Sequence, residues 1–134
     1  MKATVEFDGA ARGNPGPAAI GFVIKSEDGT ETGHEYIGRA TNNVAEWTAL
    51  RRGVEEALNR GCNSVRAVGD SEVVVKQMQG EYYVNDEKLI PLYDETKAVV
   101  AEFDQFEIEQ ISRDGNEKAD ELANKALDEA EAAR

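Results

Sequence analysis

Four acids far apart in the chain, Asp8, Glu46, Asp70 and Asp120, have the side-chain type needed to hold divalent cations if folding gathers them. Magnesium takes oxygen ligands and keeps several waters, so a few carboxylates completed by substrate phosphate oxygens make a sufficient site. Without cations, close carboxylates repel and raise one another's pKa values. In a two-cation site, one cation lowers the pKa of its water to make a nucleophile and the other stabilises the leaving oxygen of an in-line displacement. Each acid also has a plain local explanation. Asn43-Val44-Ala45-Glu46 matches a capping box, with Asn43 capping a helix and Glu46 bonding back. Asp70 can cap a helix beginning near Ser71. Asp120 suits the positive end of a helix dipole, and Asp8 can initiate an Asp-Gly turn.

The elements that carry these acids decide between the two readings. Residues 2–8 alternate, with Val5 and Phe7 on one face, as a short strand does. Asn14-Pro15-Gly16-Pro17 breaks the chain. Ile20, Phe22 and Ile24 predict a second strand, Asp28-Gly29 a tight turn, and residues 31–38 a returning third strand. From Val44 the period lengthens: Trp47, Leu50, Val54, Ala57 and Leu58 predict a helix that Gly61 closes. Residues 64–69 read as a strand, a helix begins near Ser71, and Pro91 fits the first position of another, with Leu92, Thr96, Val99, Val100 and Phe103 as its buried stripe. Residues 105–112 form a last strand. Ala119, Leu122, Ala123, Ala126, Leu127 and Ala130 mark the apolar face of a final helix.

The order βββαβααβα predicts an α/β domain, a five-stranded mixed sheet with helices on both faces. Asp8 and Asp70 then stand at the carboxyl ends of strands, where open sheets bind ligands, and meet if the first and fourth strands are parallel neighbours. Glu46 opens the first helix and Asp120 lies early in the last. Together the four acids make more sense as a site than as four local accidents.

The chain of 134 residues, 40% of them hydrophobic, fits one domain over 1–134, with residues 128–134 expected to fray. The start shows neither a long apolar run nor a cleavage pattern, and no stretch is apolar enough for a membrane span, so a cytoplasmic protein without membrane contact is expected. Cys62 is the single cysteine and reads as an inert small residue beside a helix end. Twenty-seven acidic against fifteen basic residues leave −12, which by itself argues against a phosphate-gripping surface. The acids are dispersed along the chain, a pattern of proteins from salt-rich cytoplasm. There salt weakens lysine and arginine contacts to phosphate, so metals and hydrogen bonds must do more of the binding.

Four stretches of this sequence resemble type 1 ribonuclease H over nearly the whole chain. Phe7-Asp8-Gly9-Ala10-Ala11-Arg12-Gly13-Asn14-Pro15-Gly16-Pro17 is similar to the family's opening strand and glycine-rich turn, and Thr41-Asn42-Asn43-Val44-Ala45-Glu46 to its T-N-N-x-x-E signature. Gly69-Asp70-Ser71 is similar to its aspartate-serine step, and Asn116-Glu117-Lys118-Ala119-Asp120 to its N-x-x-A-D ending. The resemblance implies an endonuclease that hydrolyses the RNA strand of RNA/DNA hybrids. It assigns two Mg2+ ions, with Mn2+ as an alternative, to Asp8, Glu46, Asp70 and Asp120, with the Gly9 main chain as a further ligand. It also implies that Asn14, Thr41, Asn42, Asn43, Ser71 and Asn116 meet the hybrid, with discrimination through the 2′-hydroxyl. No obligate protein partner follows, and a monomer is expected.

Three departures from the family pattern stand out. The loop histidine before the last aspartate is missing, and Ile111-Ser112-Arg113-Asp114-Gly115-Asn116 offers Arg113 for the scissile phosphate or leaving group; the alternative is a surface arginine paired with Asp114 or Glu117. The only histidine, His34, is expected on the surface of the third strand. Residues 80–90 replace the lysine-rich protrusion of other members, where Tyr82 or Tyr83 either stack on the nucleic acid or cover the core. Glu72 follows Asp70-Ser71 where an amide is frequent, adding negative charge. The rival readings are another nuclease of the same fold acting on DNA or structured nucleic acid, and a non-catalytic hybrid-binding module.

Overall fold

A computed structural model describes residues 1–133. The elements are β1 (Lys2–Ala11), β2 (Gly16–Ser26), β3 (Gly29–Ala40), α1 (Asn42–Asn59), β4 (Ser64–Gly69), α2 (Glu72–Met78), α3 (Ile90–Val100), β5 (Gln105–Gln110) and α4 (Glu117–Ala132), with a short 3-10 turn at Arg113–Asn116 before α4. The five strands lie in the order β3-β2-β1-β4-β5. β1 pairs antiparallel with β2 and parallel with β4, which puts the ends of β1 and β4 side by side as expected.

The period-two pattern of β1 and β2 sends Val5, Phe7, Ile20, Phe22 and Ile24 into the main core, against Trp47, Leu50 and Val54 of α1. These side chains are fully or nearly fully buried, and burial of each contributes about 1.5–3 kcal/mol. Trp47 keeps its ring nitrogen satisfied by donating to Gln77 Oε1 at 2.9 Å, so α1 and α2 are tied through a buried polar contact. On the opposite face Ala10 and Ala19 pack on Ala126 and Leu127 of α4. Gly21 faces this side: a Cβ there would strike the α4 backbone at Ala119 and Ala123. Thus α1 and α4 cover the two faces of the same strands. Thr96 of α3 is fully buried, its hydroxyl donating to Leu92 O at 2.7 Å.

Several boundaries differ from expectation for physical reasons. β1 runs through Asp8-Gly9 to Ala11, because pairing with β2 continues to Ala11↔Ala18; no turn forms at Asp8. The β2–β3 hairpin turns at Glu27-Asp28, one residue earlier than expected, since Ser26 pairs with Gly29 and only Gly29, at φ 111°, takes the left-handed conformation. β5 ends at Gln110 rather than residue 112. Residues 128–132, expected to fray, continue α4, held by Arg12, which bridges Asp128 at 2.7 Å and Glu131 at 2.8 Å; Arg134 lies outside the described residues. Cys62 is buried and unpaired, and burial pushes its thiol pKa up, in keeping with an inert role.

Candidate active site

The site grows from the carboxyl ends of β1 and β4. Phe7 points into the core, so alternation turns the Asp8 side chain to the opposite face, where it stays buried. Gly9 comes next and lies under the first turn of α1: a Cβ there would collide with the backbone of Ala45 and Glu46. The missing side chain lets α1 sit directly on the strand, and the Gly9 N–H donates to Glu46 Oε1 at 2.6 Å. Glu46 is therefore not the return half of a capping box. The cap of α1 is Thr41, whose Oγ1 accepts from Val44 N at 3.2 Å. Nor is Asp70 a cap: Ser71 Oγ fills that role for α2, accepting from Val74 N at 3.3 Å.

Freed from local duties, Asp8, Glu46 and Asp70 each direct a carboxylate oxygen into one cluster, the three atoms all within 4.8 Å of one another. Asp120, in the first turn of α4, is brought to the same cleft by the close approach of α4 to Gly21. All four acids line a cleft of about 280 Å3 with Gly9, Ala10, Ala11, Asn42, Ser71 and Arg113. A larger hollow of about 460 Å3 on the open sheet face, lined by Lys25, Arg66 and Glu107, contains none of these residues.

Burial first, then the adjacent Glu46, Asp70 and Asp120 carboxyls, push the Asp8 pKa far above the usual carboxylate range. Burial also raises Glu46, outweighing the lowering by its hydrogen bonds to Asp8 and to the Gly9 N–H. Glu46 Oε2 is buried without a hydrogen-bond partner. An orphaned carboxylate oxygen and three converging acids are costly alone, and a divalent cation with a preference for oxygen would satisfy both. The donor set therefore fits such an ion.

The rim holds most of the expected contact residues. Asn14, Asn42 and Asn43 are exposed, and Asn14 Oδ1 accepts from Asn42 N at 3.0 Å, joining the glycine-rich turn to the start of α1. Arg113 is exposed and forms no ion pair with Asp114, Glu117 or any other acid among the described residues. Asn116 must be withdrawn from the direct contacts: it is 0% exposed, and its Nδ2 donates to Phe7 O at 2.9 Å, pinning the start of α4 to β1 beside Asp8. Tyr82 and Tyr83 do not cover the core, being 43% and 88% exposed. Tyr82 donates to Glu72 Oε1 at 3.1 Å. His34 sits on β3 at the surface, 2.9 Å from Glu129.

Sequence reasoning missed Gly21, whose role appears only when α4 is placed, and Arg39. Among the described residues Arg12, Arg51, Arg52, Arg60 and Arg66 all pair with acids, whereas Arg39 and Arg113 do not. Arg39, exposed near the end of β3 and two residues before Thr41, thus leaves a second guanidinium uncommitted.

Known proteins share this fold. A family model described as "Reverse transcriptase-like" matches residues 6–126. Ribonuclease HI of Halobacterium salinarum is 45% identical over 126 residues, covering 92% of this chain and 63% of that protein. Among solved structures, the N-terminal RNase H domain of rv2228c from Mycobacterium tuberculosis superposes with a TM-score of 0.95 at 38% identity, covering 100% of this chain and 99% of that one. LC11-RNase H1, solved in complex with an RNA/DNA hybrid, gives a TM-score of 0.88 at 38% identity, covering 96% and 98%. The chain spans 63% of the length of the archaeal relative and 36% of the length of the mycobacterial bifunctional protein. The family model spans most of the sequence and these neighbours share the fold throughout: this chain belongs to the type 1 ribonuclease H family.

Proposed function

We propose that this protein is an endonuclease that hydrolyses the RNA strand of RNA/DNA hybrids, with Asp8, Glu46, Asp70 and Asp120 holding two divalent cations, Mg2+ or Mn2+. The observation that carries the reading is the convergence of Asp8, Glu46 and Asp70 within 4.8 Å, with Glu46 Oε2 buried and unpartnered. The relative solved with a hybrid supports the substrate. No described helix is long and apolar enough to cross a membrane. A cytoplasmic location and a monomeric state are part of the proposal.

When bound, the cations supply an activated water and stabilise the leaving oxygen. The protein's own residues do the rest. The Gly9 N–H holds Glu46 in one orientation, and the same main chain lines the cleft. Thr41, Asn42 and Asn43, presented at the start of α1 with Asn14 locked against them, offer hydroxyl and amide groups to 2′-hydroxyls, base edges and phosphates in a minor groove. Ser71 borders the cleft at the start of α2. Arg113 faces the acids with no competing partner, so its guanidinium is available to the scissile phosphate or the departing oxygen. Asn116 positions α4 from beneath.

Cleavage of end-labelled RNA/DNA hybrid, double-stranded RNA and double-stranded DNA across an Mg2+ and Mn2+ titration tests this reading. Cutting confined to the RNA strand of the hybrid and abolished by chelation is expected. Faster cutting of duplex DNA would transfer the protein to a DNA-directed nuclease, and hybrid binding without cleavage to a non-catalytic module.

A further inference from the structure

Asp120 is the one acid of the four delivered by α4, and a chain of hydrogen bonds runs from it to the turn between β1 and β2. One turn along the helix, Asn124 Nδ2 donates to Asp120 Oδ1 at 3.2 Å and to Asp120 O at 3.0 Å. On the other side of the amide, Arg12 Nη2 donates to Asn124 Oδ1 at 3.4 Å. The guanidinium, which stays charged at any working pH, is itself held by Asp128 at 2.7 Å and Glu131 at 2.8 Å.

We propose that Asn124 is a positioning residue for the candidate metal centre, orienting the Asp120 carboxylate, and that Arg12 sets which end of the Asn124 amide faces Asp120. An amide has one accepting oxygen and one donating nitrogen. Flipped, Asn124 would set its oxygen against a carboxylate, which repels. A charged donor on the far side makes the productive orientation the lower in energy, since charge-assisted bonds are the stronger kind. Groups that orient a ligand in this way typically change metal affinity by about 10- to 100-fold when removed. Arg12 lies in the same turn as Asn14, which holds Asn42. The turn therefore ties the cleft's hybrid-facing rim to the orientation of a metal-holding carboxylate.

The inference rests on the metal-centre reading above, and the experiment separates the two. Mg2+ is titrated calorimetrically into substrate-free protein, alongside its effect on the unfolding temperature. The proteins compared are wild type, Asp120→Asn, Asn124→Leu, Asn124→Gln, Arg12→Met and the Arg12→Met/Asn124→Leu double variant. Asn124 is only half-buried, so Leu is tolerated, and an unfolding temperature without Mg2+ close to wild type checks that. Asn124→Leu should weaken Mg2+ binding by about tenfold, Asn124→Gln should restore most of it, since an amide at this spacing reaches back, and Arg12→Met should weaken it less. The double variant should match Asn124→Leu, the signature of residues acting in series. Unchanged Mg2+ affinity in Asn124→Leu, with affinity lost in Asp120→Asn, would overturn this inference and leave the metal centre standing. Independent, multiplying losses from Arg12 and Asn124 would overturn the relay. Unchanged affinity in Asp120→Asn would take Asp120 out of the centre and the inference with it, while the Asp8, Glu46 and Asp70 cluster would still be judged by Asp8→Asn.

Discussion

The main-chain N–H of Gly9 and the Oε1 of Glu46 meet at 2.6 Å, a contact between a strand and a helix in which only one partner has a side chain. A methyl group at Gly9 would press on the α1 backbone at Ala45 and Glu46, which cannot rotate away. Gly9→Ala is expected to cost about 3 kcal/mol or more and to abolish cleavage, read from denaturant melts and a hybrid assay. A well-folded, active variant would show that the approach of α1 is not set here.

Charge removal at Asp8 should have opposite effects on stability and activity. Its pKa is raised in the folded protein, so the unfolded chain ionises first as pH rises and the metal-free fold is progressively penalised from about pH 4 upward. Asp8→Asn removes that penalty. Without metal, the variant should equal wild type near pH 4 and unfold at a higher temperature than wild type at neutral pH. Mg2+ should stabilise wild type and not the variant, and hybrid cleavage should vanish. A variant less stable than wild type at pH 8 in chelator would count against a strained acidic cluster.

Arg113 makes no ion pair in the fold, so its loss should be silent in thermal melts. In single-turnover cleavage, Arg113→Ala should slow the chemical step by about 10- to 100-fold, with a smaller change in hybrid affinity, because a charge-assisted contact to the reacting phosphate acts mainly in the transition state. An unaltered single-turnover rate would return Arg113 to the ordinary surface.

Five of the seven described arginines are paired to acids, which leaves Arg39, Arg113 and the lysines to meet phosphates. The slope of log affinity against log salt for hybrid binding should be shallow, about −2 if Arg39 and Arg113 dominate. At a net charge of −12, raising KCl toward molar levels should also increase the unfolding temperature by screening self-repulsion. A steep slope, or melting that falls with KCl, would show that lysines elsewhere bind the hybrid or that repulsion is unimportant.

The sequence was most informative where chemistry and periodicity coincide. Alternation through Val5 and Phe7, and through Ile20, Phe22 and Ile24, marked strands whose register then placed Asp8 beside β4. The caps were misassigned because Thr41, Asn43, Asp70 and Ser71 are all good capping types within a residue or two of a helix start, and only backbone geometry selects Thr41 and Ser71. Asn116 looked like a rim residue because its polarity suits one; its burial comes from a bond to Phe7 O, 109 positions away in sequence. Asn124 was unreadable for a similar reason: its partner Arg12 belongs to the other end of the chain. Gly21 carried no local signal, since a glycine in a strand announces a close approach without naming what approaches.

Gly9 and Gly21 lie on neighbouring strands, offset by one residue, and open toward opposite faces of the sheet. They act as the two jaws of a calliper: the separation between the acid of α1 and the acid of α4 is gauged by backbone thickness rather than by the size of any side chain. The gauge is thereby insulated from drift in the hydrophobic interior. Leu50→Ala or Val54→Ala is then expected to lower the melting point without resetting the gap.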